Sequence, residues 1–90
     1  MKTVGFVVEG EVQGVGFRYF ARREAQRLGV AGWVRNRRDG AVEGEAAGPD
    51  DAVEAFLSRL RRGPSMANVT NVDLTEISDD TERFITFEIR

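Results

Sequence analysis

The chain has 90 residues, 41% of them hydrophobic and 31% charged, which fits a single domain over residues 1–90, near the lower limit for a self-sufficient core. The absence of cysteine and histidine removes disulfides, thiolate or imidazole catalysis and the commonest metal ligands, so no metal and no cofactor is expected. A net charge of −2 and a pI of about 5.1 argue against bulk nucleic-acid binding, which needs many basic groups. No apolar run approaches the ~20 residues of a membrane span, and the N-terminus lacks a signal peptide's pattern, so a cytoplasmic protein with no membrane partner is expected.

Thr3 to Glu9 alternate, with Val4, Phe6 and Val8 on one face, as a half-buried strand does. Gly10 to Gly16 carry three glycines in seven residues and form a loop. A helix then opens at Phe17 or Arg18 and runs to Leu28, with Phe17, Ala21, Ala25 and Leu28 on one face and Arg22, Arg23, Gln26 and Arg27 outward; Gly29 stops it. Val30 to Asn36 alternate as a second strand, Asp39-Gly40 turns the chain, and Val42, Gly44 and Ala46 mark a third strand in a hairpin with the second.

Gly48-Pro49-Asp50-Asp51 signals a helix start, with Pro49 in the first turn and two acids where the helix dipole favours them. Val53, Phe56, Leu57 and Leu60 keep the spacing of one apolar stripe, Arg59, Arg61 and Arg62 fill the last turn, and Gly63-Pro64 ends the helix. After a loop over Ser65 to Asn68, Val69 to Ile77 make a poorer strand in which Val69 is out of phase with Val72 and Leu74; a bulge or an edge position explains this. Ser78 to Glu82 form a polar turn, and Phe84 to Ile89 a last strand with Ile85, Phe87 and Ile89 on one face.

This order predicts an α+β fold, a ferredoxin-like split βαβ sandwich with two helices on one face of a four- or five-stranded, mainly antiparallel sheet. The other face is left to solvent, and it carries Glu9, Arg35, Glu43, Glu45, Thr86 and Glu88.

The stretch Gly10 to Phe20 carries the chemistry. Its glycines free the backbone to turn successive N–H groups inward as an anion-binding nest. Arg18 adds a planar cationic fork that suits a phosphate or carboxylate. The helix start places further amides and the positive dipole end at the same spot. The same pattern also fits a loop that only reverses the chain. There is no Gly-Lys-Ser/Thr, the glycines at 10, 14 and 16 do not fit G-x-G-x-x-G, and Gln13 and Val15 break an RNA-reading pattern over Gly14 to Phe20. Asn36, at the end of the second strand, either positions a water beside an anion or starts the following turn.

Gly10-Glu11-Val12-Gln13-Gly14-Val15-Gly16-Phe17-Arg18 resembles the first signature of the acylphosphatases, and Gly32 to Val42 resembles their second. The likeness covers the whole chain. It implies that the loop Gln13, Gly14, Val15, Gly16, Phe17 and Arg18 binds phosphate, that Arg18 holds it and that Asn36 orients the attacking water. It further implies hydrolysis of carboxyl-phosphate anhydrides without a metal, with a small-molecule acyl phosphate as substrate and inorganic phosphate as product and competitive inhibitor. The protein is expected to be a monomer. Glu11 departs from the family's usual basic or neutral residue; strand parity places it with Glu9 on the face away from the helices. The domain also occurs fused to larger carbamoyl-transfer proteins, and this 90-residue chain is expected to be a free-standing hydrolase. An anion-binding regulatory module that does not hydrolyse its ligand is the alternative.

Overall fold

The computed structural model describes residues 1–77 and 84–90, so the polar turn expected over residues 78–82 lies outside the described residues. The elements follow as β1 (Lys2–Glu11), α1 (Phe17–Leu28), β2 (Ala31–Asn36), β3 (Val42–Gly48), α2 (Asp50–Arg62), β4 (Asn68–Ile77) and β5 (Phe87–Ile89). They build a five-stranded sheet in the order β4-β1-β3-β2-β5. All pairings are antiparallel except that of β2 with β5. The expected ferredoxin-like arrangement is therefore present, with the fifth strand added.

The alternation in β1 decides which face is covered: Val4, Phe6 and Val8 are buried against the helices with Val34, Val42 and Ala46 of the neighbouring strands. Helix α1 contributes Phe17, Ala21 and Ala25 to this core, and α2 contributes Val53, Phe56, Leu57 and Leu60. The Phe56 ring meets Phe6 edge-on at 6.0 Å and Phe87 at 5.4 Å, so one side chain of α2 bridges the first and last strands. Each such ring removed from water contributes ~1.5–3 kcal/mol.

Three expectations change in detail. Leu28 is only half-buried. Pro49 stands just outside α2, where its carbonyl accepts the Val53 N–H at 3.0 Å. The last strand begins at Phe87, because its parallel pairing starts at Gly32 opposite Phe87; Ile85 lies before that register, 99% exposed, and does not share the core face of Phe87 and Ile89. The phase break in the fourth strand has the expected cause. Strand β4 is an edge strand, and its register against β1 shifts between Glu9 opposite Asn71 and Gly10 opposite Val69. Thr70 is the extra residue, and it brings Val69 back to the side of Val72, where both pack against the core.

Glu24 is a buried carboxylate that the apolar stripe of α1 did not announce, 7% exposed. It lies seven residues from Phe17, on the same helical stripe, at the seam between the helices. It accepts a 2.6 Å bond from Arg27 and also faces Arg23 at 3.7 Å and Arg59 of α2 at 3.6 Å. The hydrogen bond from Arg27, with the charges of Arg27, Arg59 and Arg23, holds its pKa below the ordinary value of 4.5 despite the opposing effect of burial. The unfolded chain therefore takes up a proton at this carboxyl before the folded one does. The stabilisation is complete above the ordinary value and is lost as pH falls through the depressed folded value. Glu24→Gln is expected to lower unfolding stability by roughly 1–2 kcal/mol at about pH 7. In acid titrations followed by thermal melts, the gap between variant and parent should close as pH falls from the ordinary value of 4.5 through the depressed folded one.

Candidate active site

Strands β1 and β2 are both antiparallel to β3, so they run parallel to each other and end at the same edge of the sheet. Asn36, the last residue of β2, stands opposite Val42, and Val42 stands opposite Val8 of β1. With strands ~4.8 Å apart, the Asn36 and Val8 backbones lie about 10 Å from each other in one row across the sheet. Asn36 shares the parity of the buried Val34, so it belongs to the helix-facing side. Helix α1 packs over β2 and starts at that same end.

The loop between β1 and α1 is anchored by apolar residues. Val12 and Phe17 are each 1% exposed, and Val15 packs against the core. Between these anchors Gly14 and Gly16 take φ values of 76° and 79°, the left-handed region, although a Cβ there would meet nothing within 4 Å. Backbone conformation, not crowding, selects glycine at both. Among the described residues no backbone N–H of residues 13–18 donates to a protein acceptor. Helix α1 has no side-chain cap and no acid in its first turn. Arg18, half-buried, makes no ion pair or hydrogen bond among the described residues. A run of free amides, a helix N-terminus and an uncommitted guanidinium thus stand side by side, an arrangement suited to an anion.

Gln13 joins this loop to the hairpin. Its Nε2 donates to the carbonyls of Arg37 at 2.7 Å and Ala41 at 2.9 Å. The hairpin is closed beyond Asn36 by Arg37 N–H to the Ala41 carbonyl at 2.8 Å, by Ala41 N–H to Asp39 Oδ1 at 3.1 Å and by the Arg37–Asp39 pair at 2.9 Å. The side chain of Gln13 is therefore taken up by the β2–β3 turn, and its backbone N–H has no acceptor among the described residues. Asn36 is exposed, and its side chain makes no hydrogen bond among the described residues; the turn is held by its neighbours. A depression of about 480 Å³ lies beside it, lined by Arg35, Asn36, Arg37, Arg38, Asp39 and Glu43.

The neighbouring acids are placed on β1. Glu9 accepts a 3.1 Å bond from Asn71 of β4, and Glu11 ends the strand opposite Asn68. No group of three or more His, Cys, Asp or Glu comes together among the described residues. Sequence reasoning did not single out Val12 as a loop anchor or the Gln13 side chain as a staple. Val12 keeps the even parity of Val4, Phe6 and Val8, a signal that was present; the target of Gln13 lies 24 and 28 residues away, and no local pattern marks it.

The family model for acylphosphatases matches residues 4–89. An acylphosphatase of Nitrobacter hamburgensis is 56% identical over 79 residues, covering 88% of this chain and 80% of that protein. One of Thiobacillus denitrificans is 51% identical over 84 residues, covering 93% and 94%. The crystal structure of the acylphosphatase from Bacillus subtilis superposes with a TM-score of 0.95 at 42% identity, covering 100% of this chain and 99% of that one. The chain belongs to the acylphosphatase family.

Replacing Gln13 tests the staple. Gln13→Ala removes two side-chain donors and is expected to lower stability by about 1–2 kcal/mol. Gln13→Glu keeps the shape but sets a carboxylate against two carbonyls, and thermal melts should show it at least as unstable as the alanine variant.

Proposed function

We propose that this chain is an acylphosphatase that hydrolyses the carboxyl-phosphate bond of a small-molecule acyl phosphate to a carboxylate and inorganic phosphate. The observation that supports this reading best is the run of undonated N–H groups over residues 13–18 beside the unpaired Arg18. In the proposed reaction the amides of Gln13 to Arg18 and the Arg18 fork hold the phosphoryl oxygens. Asn36 accepts a hydrogen bond from a water that attacks phosphorus from the sheet side. The bond between phosphorus and the bridging oxygen breaks, its electron pair leaves with the carboxylate, and the proton released by the water goes to a phosphate oxygen.

Phosphoryl transfer asks mainly for positioning and charge stabilisation, and these residues are suited to both. A carboxylate leaves as an anion at neutral pH, so neither a general acid nor a Lewis acid is needed, and turnover should survive EDTA. Inorganic phosphate fits the same nest and is expected to inhibit competitively. The proposed setting is a cytoplasmic monomer, one domain over residues 1–90, without a nucleic-acid or membrane partner, in keeping with its composition.

Arg18→Ala and Arg18→Lys should both lose nearly all release of phosphate from benzoyl phosphate, since an ammonium cannot copy the two-point contact of a guanidinium. Asn36→Ala should lower kcat by a large factor with KM little changed, as expected for a group that acts in the transition state. Near-normal activity of Arg18→Lys would overturn the role given to Arg18.

Leaving-group acidity gives the second test. Without a general acid, the rate should follow the stability of the departing anion, and each ~1.4 kcal/mol of barrier is tenfold in rate. An acyl phosphate should be hydrolysed fast, p-nitrophenyl phosphate slowly and an alkyl phosphate hardly at all. A module that only binds anions would bind all three in competition with phosphate and turn over none.

A further inference from the structure

A second depression, of about 420 Å³, opens beside the same loop. It shares Gly16 with the loop and is lined by Tyr19, Phe20, Arg22 and Arg23 of α1 and by Pro64 after α2. Tyr19 is 67% exposed, which core packing does not explain. The Arg22 guanidinium lies over the Tyr19 ring at 5.2 Å, and that of Arg23 over the Phe20 ring at 5.9 Å. A guanidinium beside an aromatic ring keeps its N–H donors for another partner. Arg22 forms no ion pair among the described residues. Arg23 meets Glu24 only at 3.7 Å, while Glu24 is held at 2.6 Å by Arg27.

We propose that this depression receives the acyl group of the substrate and that Arg22, aided by Arg23, selects acyl chains ending in a second negative charge. The proposal rests on the activity proposed above and names its substrate class. One depression flanks Asn36 on the hairpin and the other shares Gly16 with the loop, and the reaction decides between them. In-line displacement puts the entering water and the departing carboxylate on opposite sides of phosphorus. The water enters beside Asn36 at the end of β2, where the first depression lies. The carboxylate then departs toward the helix layer, where the second depression begins at Gly16. From Gly16 to Arg22 the helix rises ~9 Å, and side chains on a helix lean back toward its N-terminus. A chain of about three or four carbons with a terminal carboxylate bridges what remains.

The test compares kcat/KM for succinyl phosphate and acetyl phosphate, which share the reacting group and differ in the distal charge. The ratio is taken within each protein, so general damage to the site affects both substrates and does not move it. The parent should favour succinyl phosphate. Arg22→Glu reverses one charge at a partly exposed site and should lower the ratio about tenfold, through KM. Arg22→Gln should lower it about threefold, and it keeps the test in hand if the charge reversal does not fold. Raising salt should erode the parent's preference. A ratio that both Arg22 variants leave unchanged overturns the subsite, and a ratio that moves instead with Arg38→Glu places the acyl group on the hairpin side. If the parent hydrolyses neither substrate, the activity reading itself fails, an outcome distinct from turnover of both with no change in ratio.

Discussion

The site depends on β1 and β2 running parallel on either side of β3. That arrangement sends two strand ends and the start of α1 to one edge of the sheet, so the loop that follows β1 and the residue that ends β2 become neighbours without being neighbours in sequence. The double hydrogen bond from Gln13 to the Arg37 and Ala41 carbonyls then fixes their relative position. A hairpin tip anchored only through its own strands has freedom to tilt; one bonded to the loop beside it moves with that loop. Reaction geometry tolerates little misplacement, which is why a staple outside the reacting groups matters to the chemistry.

An unsatisfied loop is costly to hold in one shape. Glycine at the N-cap of α1 in place of a capping side chain forgoes roughly a few tenths of a kcal/mol, and two left-handed glycines give up backbone freedom on folding. Against this stand Val12 and Phe17, fully buried at either end of the loop, and each contributes ~1.5–3 kcal/mol. The balance favours an ordered loop whose amides stay directed outward. The fold thus places the stabilising groups beside the polar ones, and the amides need no protein partner to keep their position.

Net charge gives a misleading picture of this surface. The chain is acidic overall, yet α1 carries Arg18, Arg22, Arg23 and Arg27 against Glu24 alone, while α2 balances Arg59, Arg61 and Arg62 with Asp50, Asp51 and Glu54, and Glu9, Glu43, Glu45 and Asp73 sit on strands. The cationic excess is therefore concentrated on α1, the helix that starts at the loop. Local fields of this kind guide a small anion to a site whatever the total charge, because screening limits what distant acids contribute. On the strand side the charges largely meet each other: Arg35 pairs with Glu43 at 2.7 Å and stacks on Trp33 at 5.1 Å.

The sequence by itself determined the order of the elements, the helix-facing residues of β1 and α2, the glycine loop and the helix start behind it. Those features rest on local periodicity and on backbone preferences of single residues, and both can be read from neighbours along the chain. It also indicated, through the misplaced phase of Val69, that β4 departs from regular pairing. Only the tertiary structure decided where that extra residue falls, because the bulge at Thr70 is defined by the register against β1. Likewise, Ile85 looked like core until the parallel register of β5 began after it, and the buried place of Glu24 is defined by Arg59, which reaches it from the other helix. The Gln13 side chain is the clearest case: its amide suits a ligand and a carbonyl equally well, and what it meets depends on a turn brought close by the sheet.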